Sequence, residues 1–137
     1  MATRLNPYIN FDGTARQALE FYKSVFGGEL HINTFGEFGD KNAPGADRVM
    51  HGQLETDSGY TLMAADTPPG ATFTPSSNIV VSLSGDDSDE LRRYWTGLVD
   101  GGSVDVPLEK QMWGDEFGHG TDRFGVAWLV NITGATG

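Results

Sequence analysis

The sequence predicts an α+β domain built from two β-α-β-β-β units, because the same kinds of element recur in the same order. Each half has a short apolar run, a stretch with helical spacing of apolar residues, a glycine pair and then strand-like alternation. Gly27-Gly28 corresponds to Gly101-Gly102, and the opening strands align with Phe11 on Leu83. Two units of this kind suit a pseudo-symmetric domain with a ligand-binding cleft.

The first predicted unit covers residues 5–66. Leu5–Phe11 alternates between apolar and polar residues, which is typical of a half-buried strand. Thr14 is a plausible N-cap for a helix from Ala15 to Phe26, which Gly27 ends. Three further alternating runs predict strands, at Glu29–Phe35, Val49–Glu55 and Tyr60–Ala65.

A proline-rich linker at 67–77 separates this unit from the second, which covers residues 78–132 and leaves a tail at 133–137. Residues 78–84 predict the opening strand, and Ser88 is expected to cap the helix that follows. The remaining elements are a strand at Ser103–Met112, a hairpin at Trp113–Asp122 and a strand at Gly125–Ile132.

Composition and charge narrow the possible partners. The 137 residues include no cysteine, which removes disulfides, thiolate metal sites and a cysteine nucleophile. The net charge of −10, with only nine lysines and arginines, argues against nucleic acid or an anionic membrane as a partner. No apolar stretch is long enough to cross a bilayer, and we expect a cytoplasmic protein.

Several catalytic motifs are absent from the sequence. There is no GxGxxG turn for a dinucleotide-type or methyltransferase cofactor, no GxSxG nucleophile elbow and no HExxH pair. Asp122-Arg123 is more typical of a turn with a local ion pair than of an acidic metal ligand. The acidic run at 86–90 is explained by a helix N-terminus, whose dipole acidic side chains complement.

Polar side chains share one face of two predicted strands. His51, Gln53 and Glu55 lie opposite Met50 and Leu54, and Tyr8 has the corresponding position on the first strand. We predict that Tyr8, His51 and Gln53 contact a ligand. His51 is the best candidate for a base or for a residue that orients a polar ligand, although a solvated histidine is the simpler interpretation.

Aromatic residues of the second unit form the other candidate binding group. Trp113, Phe117 and Trp128 fall on adjacent predicted strands and are predicted to wall a pocket for a flat or apolar ligand. The alternative is that they fill the core or a dimer interface. Trp95 lies in the apolar stripe of its helix and is expected in the core.

The order and spacing of these segments resemble the vicinal oxygen chelate superfamily, which includes glyoxalase I, extradiol dioxygenases and bleomycin-binding proteins. Within it the chain is most similar to the PhnB-like subgroup, often labelled by similarity to a demethylubiquinone methyltransferase. The resemblance runs from residue 5 to about 132. Its segments are Leu5-Asn6-Pro7-Tyr8, Glu20-Phe21-Tyr22, Phe26-Gly27-Gly28, Val49-Met50-His51-Gly52, residues 62–66, Trp113-Gly114-Asp115, Phe117-Gly118 and residues 122–128.

This resemblance implies a single glyoxalase-like domain over residues 1–137, with two curved sheets around a cup, and a homodimer. It also implies a divalent metal held by His or Glu on the first and last strand of each unit. The matching positions here carry none of these ligands, so no metal or other cofactor is expected. Those positions are Asn6 or Pro7, Asn78, Leu62 or Met63, and Trp128.

Three functions remain open at this point. The first is a metal-independent protein that binds a small organic ligand in the aromatic cup. The second is a lyase or transferase resembling glyoxalase, with a divalent ion held by a different set of ligands around His51 and Glu55. The third is a filled cup in a protein that acts only through its dimer surface.

Overall fold

The chain forms two compact units, with the boundary after Pro75. A computed structural model describes residues 4–73, 75 and 78–134. Each unit contains one helix and one four-stranded mixed sheet, so the predicted α+β class and the two β-α-β-β-β units are confirmed. No helix within the described residues is both long and apolar enough to cross a membrane.

The elements of unit one are β1 at Tyr8–Phe11, α1 at Ala15–Phe26, β2 at Glu29–Thr34, a 3-10 turn at Phe35–Glu37, β3 at Val49–Glu55 and β4 at Thr61–Asp66. The strands form sheet A in the order β1-β4-β3-β2. β1 runs parallel to β4, and the other neighbours are antiparallel. Both ends of α1 and both ends of β3 agree with the sequence prediction.

The elements of unit two are β5 at Val81–Gly85, α2 at Ser88–Val99, β6 at Ser103–Lys110, β7 at Glu116–Thr121 and β8 at Ala127–Ile132. The strands form sheet B, whose order, β5-β8-β7-β6, repeats that of sheet A. The first and last strands are again parallel. The helix α2 begins after Asp87, whose side chain accepts from the backbone N–H of Glu90, so the prediction of Ser88 as the cap is wrong by one residue.

Each helix buries its apolar stripe against one face of its sheet. In unit one Leu19 and Tyr22 of α1 are fully buried, as is Leu54 of β3. In unit two Trp95 of α2 is buried over Gly118, where a Cβ atom would lie 2.9 Å from the indole. Every second side chain of each strand therefore faces the helix, and the side chains between them lie on the opposite surface of the sheet. We call this surface the helix-free face.

Matching backbone hydrogen bonds define how the two units correspond. The Phe11 carbonyl accepts from Thr67 N, and the Gly85 carbonyl accepts from Thr133 N, both at 2.7 Å. Phe11 therefore matches Gly85, and the predicted match with Leu83 is wrong by two positions. Phe11 and Gly85 are separated by the same number of residues as Gly27 and Gly101. The repeat spacing of the glycine pairs therefore also applies to the opening strands.

The later strands correspond with a shorter offset. Thr56 N bonds to Tyr60 O, and Asp122 N bonds to Val126 O, so these are equivalent turns in which Thr56 matches Asp122. Unit two is shorter because only residues 111–115 join β6 to β7, whereas residues 35–48 join β2 to β3. A single offset therefore cannot align both halves of the repeat.

Segments predicted as linker and tail are partly held by their units. Thr67 is buried, and its hydroxyl and its N–H both donate to Phe11 O. Thr133 N donates to Gly85 O, and Gly134 N donates to the Asp115 carboxylate at 2.9 Å. Linker residues 74, 76 and 77 and tail residues 135–137 lie outside the described part of the chain.

Candidate functional site

The helix-free face of sheet A gathers polar side chains from three strands. Leu54 faces α1, so its neighbours Gln53 and Glu55 lie on the opposite face. Strand pairing then places Met63 beside Gln53 and Thr61 beside Glu55. This alternation confirms the face predicted for His51, Gln53 and Glu55.

A continuous hydrogen-bonded row crosses this face. The Tyr8 hydroxyl lies 3.2 Å from His51 Nδ1, and their ring centroids are 5.7 Å apart. His51 Nε2 lies 3.4 Å from Gln53 Oε1, and Gln53 Nε2 donates to Glu55. Thr61 donates to the second Glu55 oxygen at 2.7 Å. We call Tyr8, His51, Gln53, Glu55 and Thr61 the polar row.

The ionised Glu55 carboxylate fixes the direction of the hydrogen bonds along the polar row. Gln53 uses its amide nitrogen on Glu55, which leaves its amide oxygen facing His51 Nε2. An amide oxygen only accepts, so we assign the ring proton of neutral His51 to Nε2. Nδ1 is then the acceptor for the Tyr8 hydroxyl. The orientation of Tyr8 therefore depends on a carboxylate at the other end of the row.

The surroundings of Glu55 keep it ionised. The hydrogen bond from Thr61 lowers the pKa of Glu55 most, followed by the bond from Gln53. Burial opposes these two bonds with a smaller effect. Arg4, 3.7 Å away, and His31 lower this pKa further through their charge. The carboxylate is therefore an acceptor over the whole neutral pH range.

The polar row is poorly arranged to hold a metal ion. His51 and Glu55 are four residues apart on one strand, which separates their Cα atoms by about 13 Å. Gln53 lies between them and is hydrogen-bonded to both side chains. The ligands of a metal ion must instead all lie about 2 Å from one point. Over the described residues, no three His, Asp or Glu side chains gather into a group that could hold a metal ion.

The positions that the resemblance assigned to metal ligands are also dispersed. Leu62 and Trp128 are buried on the helix-facing sides of their sheets, whereas Met63 lies on the helix-free face of sheet A beside Tyr8. Asn6 and Asn78 precede the first strand of their units. The side chains at these positions supply no carboxylate or imidazole.

The predicted aromatic group divides between two locations. Trp113 lies in the turn before β7, 61% exposed, and its ring meets Phe117 edge to face, with centroids 6.4 Å apart. Trp128 instead lies in the core, 1% exposed, and its indole N–H donates to Asp122 at 2.9 Å. The prediction that Trp128 walls the same pocket therefore needs correction, because the alternation of β8 points its side chain toward α2.

Asp122 closes a turn. Its carboxylate accepts from the backbone N–H groups of Phe124 and Val126 as well as from Trp128. The adjacent Arg123 also forms an ion pair across the unit, with Asp100 at 3.6 Å.

A histidine–aspartate pair in unit two was missed by the sequence analysis. His119 Nδ1 lies 3.0 Å from Asp105 Oδ2, and Thr121 donates to the same oxygen at 3.3 Å. The two residues are distant in sequence, and no motif with their spacing marks the pair. The contact depends on an irregularity in β6 that strand alternation cannot predict.

A third carboxylate of unit two, Asp115, holds β8 and the residues that follow it. It accepts from Gly134 N and, at 3.0 Å, from the Asn131 amide. The bond from Gly134 lowers the pKa of Asp115 most, and the bond from Asn131 lowers it further. This residue is structural and lies in the same turn region as Trp113.

Comparison with known proteins identifies the family. The model of the family described as 3-demethylubiquinone-9 3-methyltransferase matches residues 3–131. The chain belongs to this PhnB-like family. The crystal structure of PA1353 from Pseudomonas aeruginosa is 36% identical, with a TM-score of 0.85 over 97% of this chain and 99% of that one.

More distant structures place the PhnB-like family in a wider fold group. The PhnB protein from Bacillus cereus is 23% identical over 96% of this chain and 100% of its own, with a TM-score of 0.76. A glyoxylase/bleomycin resistance protein/dioxygenase domain from Frankia sp. EAN1pec is 10% identical, with a TM-score of 0.68 over 100% of this chain and 96% of that one. The chain therefore shares its fold with both of these proteins.

Proposed function

We propose that this protein binds a small organic molecule without a metal ion, and that the ligand lies on the polar row of unit one. The observation that carries the proposal is the unbroken hydrogen bonding from Tyr8 to Glu55 across a partly exposed sheet face. Side chains that hold one another in place lose little entropy when a ligand arrives, so the row is preorganised for binding.

The charge of the row selects the class of ligand. Glu55 is ionised, and the whole chain carries −10, so an anionic ligand would be repelled. Tyr8, 47% exposed, offers a ring for contact and a hydroxyl oxygen as acceptor. A neutral or cationic molecule with hydrogen-bond donors fits this surface.

The hydrogen bonds of His51 support the metal-independent form of the proposal. Both of its ring nitrogens have protein partners, so a metal ion would have to displace Tyr8 or Gln53. The alternative, a divalent-metal lyase or transferase around His51 and Glu55, requires that rearrangement. We therefore rank metal-independent binding first.

A ligand screen tests the proposal. Chelator-stripped protein is melted with a library of neutral and cationic metabolites and antibiotics, and a specific ligand stabilises it by about 2.7 kcal/mol at 100 times its Kd. We expect hits whose effect is lost in His51→Ala and Gln53→Ala but retained in Gln17→Ala. Gln17 is a matched control for Gln53 because it is an exposed glutamine on α1, on the other side of sheet A.

Two results would contradict the proposal. One is a library without hits, and the other is a set of hits that bind equally well to His51→Ala. A parallel titration with Ni²⁺, Zn²⁺, Mn²⁺ and Fe²⁺ addresses the alternative. A concentration-dependent rise in melting temperature that disappears in His51→Ala would establish the metal-dependent model instead.

We also propose that the protein is a cytoplasmic homodimer. Exposed apolar side chains support self-association, among them Leu5 at 99% and Ile79 at 75% exposure. The lack of cysteine fits a reducing compartment. Light scattering after size exclusion tests the dimer, and cell fractionation tests the location.

A further inference from the structure

An irregularity in β6 brings Asp105 to His119. Val104 pairs with Gly120 and Val106 pairs with His119, so consecutive residues of β7 face residues of β6 that are two apart. Asp105 is the extra residue of a β-bulge, a device that redirects a side chain. Its carboxylate contacts both His119 and Thr121, which lie on the helix-free face of sheet B.

The contact leaves one nitrogen of His119 available. Asp105 accepts at Nδ1, so the neutral ring carries its proton there and presents the lone pair of Nε2. Among the described residues no side chain bonds to Nε2, and the His119 side chain is 29% exposed. A carboxylate behind Nδ1 also stabilises the charged ring after Nε2 takes up a proton.

An aromatic pair lies beside this nitrogen. Phe117 is two residues before His119 on the same strand and the same face, about 7 Å away along the strand. Trp113 packs against Phe117, and Leu129 lies opposite His119 on β8. A flat ring on this apolar surface would place a substituent at its edge close to Nε2.

We propose that the Asp105–His119 pair is a proton-accepting site for a flat aromatic ligand with a weakly acidic hydroxyl group. The ligand ring lies on Trp113 and Phe117, and its O–H bond breaks as an N–H bond forms at Nε2. The electron pair stays on the ligand oxygen. The products are an aromatic oxyanion and an imidazolium that faces the Asp105 carboxylate, so charge and atoms balance.

The other charged groups near His119 allow this role. Asp105 is the ionisable group that contacts it from β6, and Glu109 of that strand lies further along, opposite Phe117. Glu116 of β7 is paired with Arg92 of α2. From β8, the neighbour opposite His119 is the apolar Leu129. In this described part of the unit, the imidazolium of His119 therefore faces a carboxylate and no cation.

Umbelliferone, a flat bicyclic phenol whose absorption changes on deprotonation, is the probe. Its methyl ether has the same ring system without the acidic proton. Near neutral pH we expect the phenol to bind about tenfold more tightly than the ether, with bound absorption shifted toward the phenolate. Tryptophan fluorescence, to which Trp95, Trp113 and Trp128 all contribute, and dye absorption report binding together; the fluorescence change should be lost in Trp113→Phe.

Variants distinguish the proton acceptor from the residue that positions it. His119→Gln should lose the preference for the phenol and the spectral shift. Asp105→Asn should weaken both and change the His119 tautomer, which ring ¹⁵N shifts reveal because the protein has only three histidines. His31→Gln is the matched control, since its nearest acid, Glu29, is 4.0 Å away and both side chains are largely exposed.

Two outcomes would overturn this inference. One is a wild-type protein that does not bind the phenol more tightly than the ether, including one that binds neither. The other is His119→Gln that keeps the preference and the shift. Since the polar row is tested with other variants and other ligands, either proposal can fail alone.

Discussion

The two units share a backbone and differ in the chemistry of their helix-free faces. With the offset set by the equivalent turns, in which Thr56 matches Asp122, Gln53 of unit one corresponds to His119 of unit two. The first belongs to a hydrogen-bonded row of uncharged groups ending in a carboxylate, and the second to a histidine–aspartate pair. Positions that hold the sheets together stay alike, while the opposite faces have diverged into different candidate sites.

The buried acids of the two units show how the same architecture is held in two ways. Asp66, at the end of β4, accepts from the backbone N–H groups of Gly13, Ala15 and Val49, which are distant in sequence. Asp122 accepts from groups two, four and six residues away. One carboxylate joins three elements of its unit, and the other shapes a single turn.

Replacing these acids should have the largest effects. Asp66→Ala leaves three N–H groups without an acceptor in a buried setting, so we expect a loss of about 4 kcal/mol. Asp122→Ala should cost about 3 kcal/mol, since its turn can relax locally. Urea denaturation measures both. Equal losses, or a larger loss at Asp122, would show that sequence distance between the bonded groups does not matter here.

Glycines that match between the units come next. A Cβ atom on Gly28 or Gly102 would clash with a backbone carbonyl oxygen, that of Glu55 or of Thr121 respectively. We expect each alanine variant to lose about 3 kcal/mol because backbone must move. Gly59→Ala is the control. It has a φ of +88° but open space, so it should lose only about 1 kcal/mol.

Lowering the pH should destabilise each unit through one carboxylate, by less than the substitutions above. Because the pKa values of Glu55 and Asp115 are lowered in the fold, each stabilises the protein above its unfolded pKa. That contribution disappears as the pH falls through the folded pKa, below about pH 4. The stability difference between wild type and Glu55→Gln or Asp115→Asn should therefore shrink on acidification, as melting curves from pH 6 to about 2.5 would record. A difference independent of pH would contradict this.

The smallest expected effect concerns the exposed tryptophan. Trp113→Ala should change the free energy of unfolding by less than about 0.5 kcal/mol, whereas Trp128→Ala should cost about 4 kcal/mol. The same truncation thus separates a surface ring from a core ring. A large loss at Trp113 would assign it a structural role instead of the ligand contact inferred above.

Local patterns were sufficient for most of the fold. The spacing of apolar residues gave α1 and β3 with correct ends, and alternation placed His51, Gln53 and Glu55 on one face. The opening strands begin later than predicted, at Tyr8 and Val81, because alternation of residue type extends beyond the regular strand at its N-terminal end. The repeat alignment failed there because matching by apolar type aligns Phe11 with Leu83, whereas the backbone equivalent of Phe11 is Gly85.

The candidate sites were less accessible to sequence reasoning. Tyr8 could be placed on the correct face, but its contact with His51 depends on which strand is adjacent to β1. β8 carries apolar side chains on both of its faces. The sequence around Trp128 therefore did not show whether this side chain faces the helix or the helix-free side of the sheet. The Asp105–His119 contact requires a bulge, which breaks the two-residue period on which strand prediction rests.

The bulge that redirects Asp105 also bears on how the protein avoids aggregation. β6 is the longest strand of the described chain and lies at one end of sheet B, where a regular backbone would be a template for a strand from another molecule. Two register shifts and Pro107, which lacks an amide hydrogen, interrupt that template. A deletion that regularised β6 would therefore remove the histidine's carboxylate and, at the same time, create an edge prone to intermolecular β-pairing.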